Sequence, residues 1–258
     1  MVNKNNLANI RLLKYNYKTM KILLTNDDGI QAPGLQALAR KLAGTGHTVG
    51  ICAPKICCSG KSMSLTIDKE IQLSKEQNPF TEISYAASGS TVDCVKIALT
   101  AIEYFKNADL LISGINNGYN AGHDLYYSAT VGAAVESLHH QLPAIAVSRA
   151  AHNGQAGPDA PAAAAAFVAL FPSLLELLEK YQKKYFLNVN IPQEYNGKKM
   201  YTAISRKSFY NTTYKINGNK YMLSGTMGTD FAKGTDLYAL QQGYLSISLL
   251  NSSFNSPA

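Results

Sequence analysis

The chain has no uninterrupted apolar run of the roughly 20 residues needed to cross a bilayer. Gly, Pro, Asn or a charge interrupts each long apolar stretch, and a soluble protein with no membrane partner is expected. Residues 1–18 carry Lys4, Arg11, Lys14 and Lys18 but neither a continuous apolar core nor a small-residue cleavage site, so nothing in them predicts export. Cysteine is scarce: Cys52, Cys57, Cys58 and Cys94 match no zinc spacing, and the vicinal pair bridges only under strain. Reduced thiols in a cytoplasmic protein are the expectation. Charged residues make up only 16%, with a net +7 from scattered Lys and Arg. The basic runs stop at pairs such as Lys183-Lys184, Lys198-Lys199 and Arg206-Lys207, and no nucleic-acid-binding motif is present. Specific nucleic-acid binding is therefore not expected, and the charge fits small anionic substrates or solvated surface. There is no internal repeat. What the sequence does have is length and apolar material, 258 residues at 46% hydrophobic, enough for one large α/β domain or a core with a smaller appendage.

The most informative segment is Met20 to Gly34. Lys21 to Thr25 is aliphatic and too short for a helix, as a buried parallel strand should be. Asn26 to Gly29 is dense in turn formers, so Asp27 and Asp28 are placed at the strand's carboxyl end. Open α/β sheets bind ligands in the crevice outside those ends. Two adjacent carboxylates there repel unless a cation or a shared proton relieves them. Oxygen-only donors favour a hard ion such as Mg²⁺ or Mn²⁺. A solvated turn accounts for the same residue types, so this segment alone leaves both readings open.

Farther along, Pro33 to Ala43 places Leu35, Leu38, Ala39 and Leu42 on one helical face, and Thr48 to Ala53 reads as a second strand. Strand, helix and strand make a βαβ unit. The polar loop from Lys55 to Ser64 opens toward the same crevice. Residues 67–87 alternate imperfectly and predict a β excursion around Glu70–Leu73 and Glu82–Tyr85. Helices are predicted over 92–105, 128–140 and 161–181, and strands over 109–113 and 144–148. The β and α alternation predicts a largely parallel, doubly wound sheet. From Lys183 the pattern changes: strands are predicted over 186–191, 200–205 and 244–250, with hairpin character at Asn217-Gly218 in the Tyr-, Asn- and Lys-rich stretch 209–225.

Three strand ends thus supply candidate oxygens: Asp27 and Asp28, then Ser59 and Gly60, then Asn116 with Asn120, Asp124, Ser128 and Thr130. Gly29, Gly60, Gly114, Gly118, Gly122 and Gly132 let backbone amides approach an anion. Ser128 to Thr130 adds hydroxyls at a helix start, beside a phosphate. Metal donors plus an amide cradle suggest phosphoryl chemistry. His123 can serve as acid or base at neutral pH or be a solvated loop histidine. Asp124 is a candidate for the site or for a helix cap, and Asp236 is expected to be structural.

The ordered motifs, Lys21-Ile-Leu-Leu-Thr-Asn-Asp-Asp-Gly-Ile-Gln-Ala-Pro-Gly, Ala53-Pro with Ser59-Gly and Ser64-Leu-Thr, and Ser113-Gly-Ile-Asn-Asn-Gly-Tyr-Asn-Ala-Gly-His-Asp-Leu-Tyr-Tyr-Ser-Ala-Thr, resemble the SurE (survival protein E) family. Leu187-Asn-Val-Asn-Ile-Pro and Gly234-Thr-Asp-Leu-Tyr-Ala-Leu agree, and the similarity covers about residues 20–250. The resemblance implies a Rossmann-like core with a C-terminal β-hairpin extension, over about 183–258, that mediates subunit exchange in a homodimer or homotetramer. Residues 1–19 are unmatched and read as a tail. It implies a metal-dependent phosphatase acting on nucleoside 5′- and 3′-monophosphates, with one divalent cation per subunit. Carried over by motif, the metal ligands fall on Asp27, Asp28, Ser59 and Asn116, and Asn120 and Ser128 face the phosphate, with Gly60 and Thr130 beside them. Three departures, Gly89-Ser-Thr, Tyr127-Ser-Ala-Thr and Ser246-Ile-Ser-Leu-Leu, remove none of these.

The expected reaction is hydrolysis by water, with a phospho-aspartyl route through Asp27 or Asp28 as the chemical alternative. Tyr119, Tyr126 and Tyr127 lie in or beside the phosphate loop and are candidates to stack on a base. The rival reading is a receiver-like or nucleotide-binding regulatory module that binds Mg²⁺ without turnover. That class needs a third-strand acceptor Asp, where this chain has Asn116, and a later-strand Lys that 144–148 does not provide.

Overall fold

The computed structural model describes residues 19–151, 160–181 and 184–252; of the expected tail, residues 1–18 lie outside them. Its frame is a nine-stranded sheet in the order β3-β4-β2-β1-β5-β6-β7-β11-β8. The central strands β4 (Ile83–Ala87), β2 (Thr48–Pro54), β1 (Lys21–Thr25), β5 (Leu110–Asn117), β6 (Ala144–Arg149) and β7 (Phe186–Ile191) are parallel. On one edge β3 (Leu73–Lys75) runs antiparallel to β4; on the other β11 (Leu245–Leu250) runs antiparallel to β7 and carries β8 (Lys199–Tyr201). From β1 the chain moves outward one way to β2 and then the other way to β5. The β1–β5 gap is therefore the topological switch point, where open sheets of this kind take ligands.

Alternation along each strand divides the interior in two. Ile22, Leu24, Ile51, Ile112, Val147 and Val189 face a layer made of helices α1 (Pro33–Ala43) and α4 (Ala160–Tyr181). Leu23, Cys52, Leu111, Ala146 and Phe186 face α2 (Thr91–Ala101) and α3 (Ala129–His139). Burying one aliphatic side chain of this kind contributes about 1.5–3 kcal/mol. α1 begins at Pro33, which suits a first helical turn. Gly34 follows because a Cβ there would collide with the Ile115 carbonyl, so the helix sits tight against β5. α2 starts with a reciprocal cap, Ser90 Oγ accepting from the Asp93 amide and Asp93 from the Ser90 amide. α4 is long and apolar enough in composition to cross a membrane, which the sequence reading did not anticipate. Its stripe of Ala164, Phe167, Phe171, Leu174 and Leu178 is instead buried against α1 and the sheet.

Three stretches differ from the sequence-based expectation. Residues 83–87 are no excursion: they join the main sheet as a parallel neighbour of β2. The third strand runs on through the expected polar loop to Asn117, with a register shift against β6 between Ser113 and Asn116. The strand expected over 200–205 is reduced to β8.

Outside the main sheet stands a hairpin, β9 (Tyr210–Asn217) paired with β10 (Lys220–Met227). Its two-residue turn is Gly218-Asn219, with Gly218 at φ +60, the conformation that favours glycine at the first turn position. Every residue of β9, and all of β10 except Ser224, is exposed. Pairing puts Tyr210 opposite Met227, Tyr214 opposite Leu223 and Ile216 opposite Tyr221 on one face. The other face carries Asn211, Thr213, Lys215 and their partners. The hairpin is thus amphipathic, and its apolar face is uncovered in the isolated chain.

Candidate metal and phosphate site

Asp27 and Asp28 leave β1 at the switch point. Asp27 is buried, and its Oδ1 accepts a 2.5 Å hydrogen bond from Thr130 Oγ1 in the first turn of α3. Burial, with a further push from the neighbouring Asp28 charge, raises the Asp27 carboxyl to about 6 against the pull of Thr130. Asp28 is raised by burial too; the Asn117 amide, 2.9 Å from its Oδ2, and the nearby Arg149 charge oppose the rise. Two acids largely removed from water stand side by side, balanced by the Thr130 hydroxyl, backbone amides and the nearby Arg149 guanidinium.

The residues around this pair fit a hard cation. Asn116 comes from the end of β5, where its Nδ2 donates to the Gly118 carbonyl at 2.7 Å and so leaves Oδ1 as the free acceptor. The buried amide oxygens of Asn26 and Asn117 have no hydrogen-bond partner among the described residues. Ser59 follows Cys58, whose amide donates to the Asp27 carbonyl at 2.6 Å, so the 55–66 loop is tied to the acidic turn. The Ser59 hydroxyl is exposed and lies 3.1 Å from Cys57 Sγ. No cluster of three His, Cys, Asp or Glu that could hold a metal exists among the described residues; a cation here would have to draw on two carboxylates and neutral oxygens, a donor set suited to a hard ion.

The loop is fixed at both ends. Asp93 takes the Thr66 amide and hydroxyl, Ser90 Oγ reaches the Ser64 carbonyl, and Ser62 binds the carbonyls of Tyr126 and Tyr127. Within it Gly60 has φ +73 and nothing crowds its open side, leaving its backbone accessible. Ser128 caps α3 by accepting from the Val131 amide at 3.1 Å, which leaves its hydroxyl proton free. Asn120 is held from several directions. Its amide donates to Asn190 Oδ1, its Nδ2 to Ser148 Oγ, and its carbonyl accepts from Asn188 and Asn190. Thr130, expected at the substrate, instead gives its proton to Asp27.

The other candidates belong to the hairpin root. Asp124 accepts from the Phe209 amide at 3.0 Å and caps no helix. The His123 amide binds the Lys207 carbonyl, and its ring lies against Tyr126 and Tyr127. Asp236, raised by burial, accepts from the amides of Gly122, Ser205 and Leu237 and is structural. Between this root and the 55–66 loop lies an open cleft of about 770 Å³ lined by Gly60, Tyr119, Tyr127, Phe209, Tyr210 and Tyr214 among others. Tyr126 is not part of its wall.

Sequence reasoning missed Ser148, Asn188, Asn190 and Arg149. The two asparagines had a legible signal: Leu187-Asn-Val-Asn-Ile puts two amides on one face of a strand otherwise fit for the core. Arg149 had none, since a strand-ending Arg is ordinarily solvated.

Comparison with known proteins agrees with this geometry. The family model described as Survival protein SurE matches residues 22–212. A protein of Desulfitobacterium hafniense named 5′-nucleotidase SurE is 39% identical, over 90% of this chain and 91% of its own. One of the same name from Clostridium beijerinckii is 35% identical over 91% and 94%. The crystal structure of the SurE protein from Aquifex aeolicus superposes with a TM-score of 0.76 at 27% identity, covering 92% of this chain and 95% of that one. With a family match across most of its length and relatives that align nearly end to end, the chain belongs to the Survival protein SurE family.

Proposed function

We propose that this protein is a metal-dependent phosphomonoesterase that hydrolyses nucleoside 5′-monophosphates, and 3′-monophosphates, to nucleoside and phosphate. The observation that carries the reading is the acidic pair at the β1–β5 switch point, Asp27 buried and Asp28 half-buried, beside a capped helix start and an accessible glycine loop. The 5′-nucleotidase names of the relatives support it. The receiver-like alternative finds no support: the third strand offers Asn116 in place of an acceptor Asp, and β6 has no Lys.

Asp27, Asp28, Ser59 and Asn116 would hold one divalent cation, Mg²⁺ or Mn²⁺, per subunit. When bound, it supplies Lewis-acid charge at the phosphoryl centre. The chain's own groups do the rest. The Ser128 hydroxyl, the start of α3, the Gly60 backbone and Asn120 take up the charge that develops on the phosphoryl oxygens. Thr130 holds the Asp27 carboxylate in place through Oδ1, and Asn117 holds Asp28. Water is the nucleophile.

The aromatic cleft beside Gly60 supports nucleotides over sugar phosphates, because Tyr127, Tyr119 and the hairpin tyrosines offer π faces to any base. The uncovered apolar face of the hairpin supports at least a dimer, in which residues 183–258 are the assembly extension of a single domain that starts near Met20. Four free cysteines fit a reducing, cytoplasmic setting. The deciding experiment assays the purified protein on AMP, CMP, GMP, UMP, 3′-AMP and glycerol phosphate with Mg²⁺, Mn²⁺ or EDTA. Release of phosphate from nucleotides, abolished by EDTA, is expected. Equal turnover of all substrates in EDTA overturns the reading.

A further inference from the structure

Arg149 is the last residue of β6 and is only 3% exposed. Its Nη1 donates to the Ala150 carbonyl at 2.9 Å, its Nε has no partner, and no carboxylate lies within 4.0 Å of it among the described residues. A guanidinium does not give up its proton, so it must be buried as a cation. Removing such a charge from water costs several kcal/mol unless an anion compensates. Asp28 feels the Arg149 charge but binds the Asn117 amide, and its remaining oxygen belongs to the cation site.

Arg149 also lines a half-open cavity of about 290 Å³, with Ala150, Ala163, Ala166, Ile191 and Tyr195 among its other walls. Among the described residues, none of those proposed for the cation and no acidic residue borders it. The small alanines come from the first two turns of α4, a 22-residue helix. The amino-terminal turns of that helix, at the positive end of its dipole, border the same space. A buried cation with no carboxylate partner among the described residues, a helix amino end and a wall free of described acidic residues converge on a volume at the small end of ligand pockets.

We infer that Arg149 and the amino end of α4 form a seat for a phosphate-sized oxyanion, in a cavity separate from the acidic pair. The planar fork of the guanidinium suits two oxygens of such an anion, and Nε is the donor left unused. The seat follows from the geometry alone. Naming orthophosphate, the reaction product, as its occupant rests on the hydrolase reading above.

The test is calorimetric titration of orthophosphate into the full-length protein in EDTA, where the cation site is disabled. It runs on wild type, Arg149→Met, Arg149→Lys and Ala166→Met, with AMP turnover in Mg²⁺ measured in parallel. Wild type should bind phosphate at one site. Arg149→Met should weaken it at least about tenfold, since a charge-assisted contact is lost, and Arg149→Lys should retain part of it. Ala166→Met fills the cavity from the helix side and should weaken binding without touching the charge. Arg149→Met keeps the side chain's length without its charge; a thermal melt checks that it folds, and Ala166→Met tests the cavity where it does not. Phosphate binding unchanged in Arg149→Met, or absent from wild type up to about 10 mM, weaker than any millimolar site, overturns the inference. Loss of AMP turnover in wild type would instead overturn the hydrolase reading while leaving the seat measurable. Soaking crystals with tungstate locates the site: density beside Arg149 supports the seat, and density at the acidic pair alone overturns it.

Discussion

The switch-point crevice and the β9–β10 hairpin break the usual partition of residues in opposite directions. In the crevice, carboxylates and amides are buried: Asp27, Asn26, Asn116 and Asn120 are all at least nine-tenths covered. On the hairpin, Tyr214, Ile216, Tyr221 and Leu223 are each about 60% exposed or more. Burying an uncompensated charge and exposing a contiguous apolar face are both costly, and each is relieved by something from outside the chain. On the reading proposed above, a cation and a phosphate would relieve the crevice, and another protein surface the hairpin. The two regions meet at the aromatic cleft, whose floor is the loop of Gly60 and whose wall is Tyr210 and Tyr214.

The comparison breaks most readily at the acids. Asp27→Asn or Asp28→Asn should lower kcat on AMP at least about a hundredfold with the fold intact, as expected when electrostatics at the phosphoryl centre dominate; circular dichroism and steady-state kinetics check it. Wild-type rates in both variants would show that the crevice is only a solvated turn.

Removing metal exposes the cost of the buried pair. The Asp27 carboxyl sits near 6 in the fold against 3.8 as its ordinary value, so between those values the native state holds a proton that the unfolded chain has released. Stability of the metal-free protein should therefore fall as pH rises from about 4 to about 6 and level off above. Each unit is worth about 1.4 kcal/mol, so the Asp27 contribution is on the order of 2–3 kcal/mol. Denaturant titrations in EDTA should show this slope in wild type and a shallower one in Asp27→Asn, where Asp28 and Asp236 still contribute, and Mg²⁺ should restore stability at pH 7.

A smaller effect separates the hairpin's two roles. Tyr210→Ser with Tyr214→Ser should reduce kcat/KM on AMP about tenfold, within the range of one or two lost base stacks, and leave glycerol phosphate unaffected. Leu223→Asp should shift light scattering toward monomer. An unchanged mass would leave the apolar face without its proposed partner. The smallest expected effect is at the start of the chain: a protein beginning at Met20 should match the full chain in turnover and melting temperature.

Where periodicity was strong, the sequence was read correctly. Leu35, Leu38, Ala39 and Leu42 on one face make α1, and the abrupt end of Lys21–Thr25 in two acids makes the switch-point turn. Residues 82–87 were misread because Ser84 and Tyr85 mimic the alternation of a half-exposed strand, whereas pairing with β2 is a long-range event no local pattern reports. Asn116 looked like a loop residue since Gly114 and two asparagines signal turns, yet β6 holds the segment extended as far as Asn117. Thr130 was legible as a hydroxyl at a helix start but not as a partner of Asp27, 103 residues away. Residue type showed which chemistry was present, and only packing showed which donor serves which acceptor.

Asp236 has a consequence of another kind. One carboxylate collects amides from the loop at Gly122, the segment before the hairpin at Ser205 and its own helix at Leu237. The His123 amide on the Lys207 carbonyl and the Asp124 carboxylate on the Phe209 amide tie the same segments together. Under hydrogen exchange their amides should therefore lose protection as one cooperative unit, and Asp236→Asn should release all three at once. Whatever loosens the hairpin at its root should then loosen the Gly122 loop in the same opening, which would tie the lifetime of the proposed assembly to that of the proposed site.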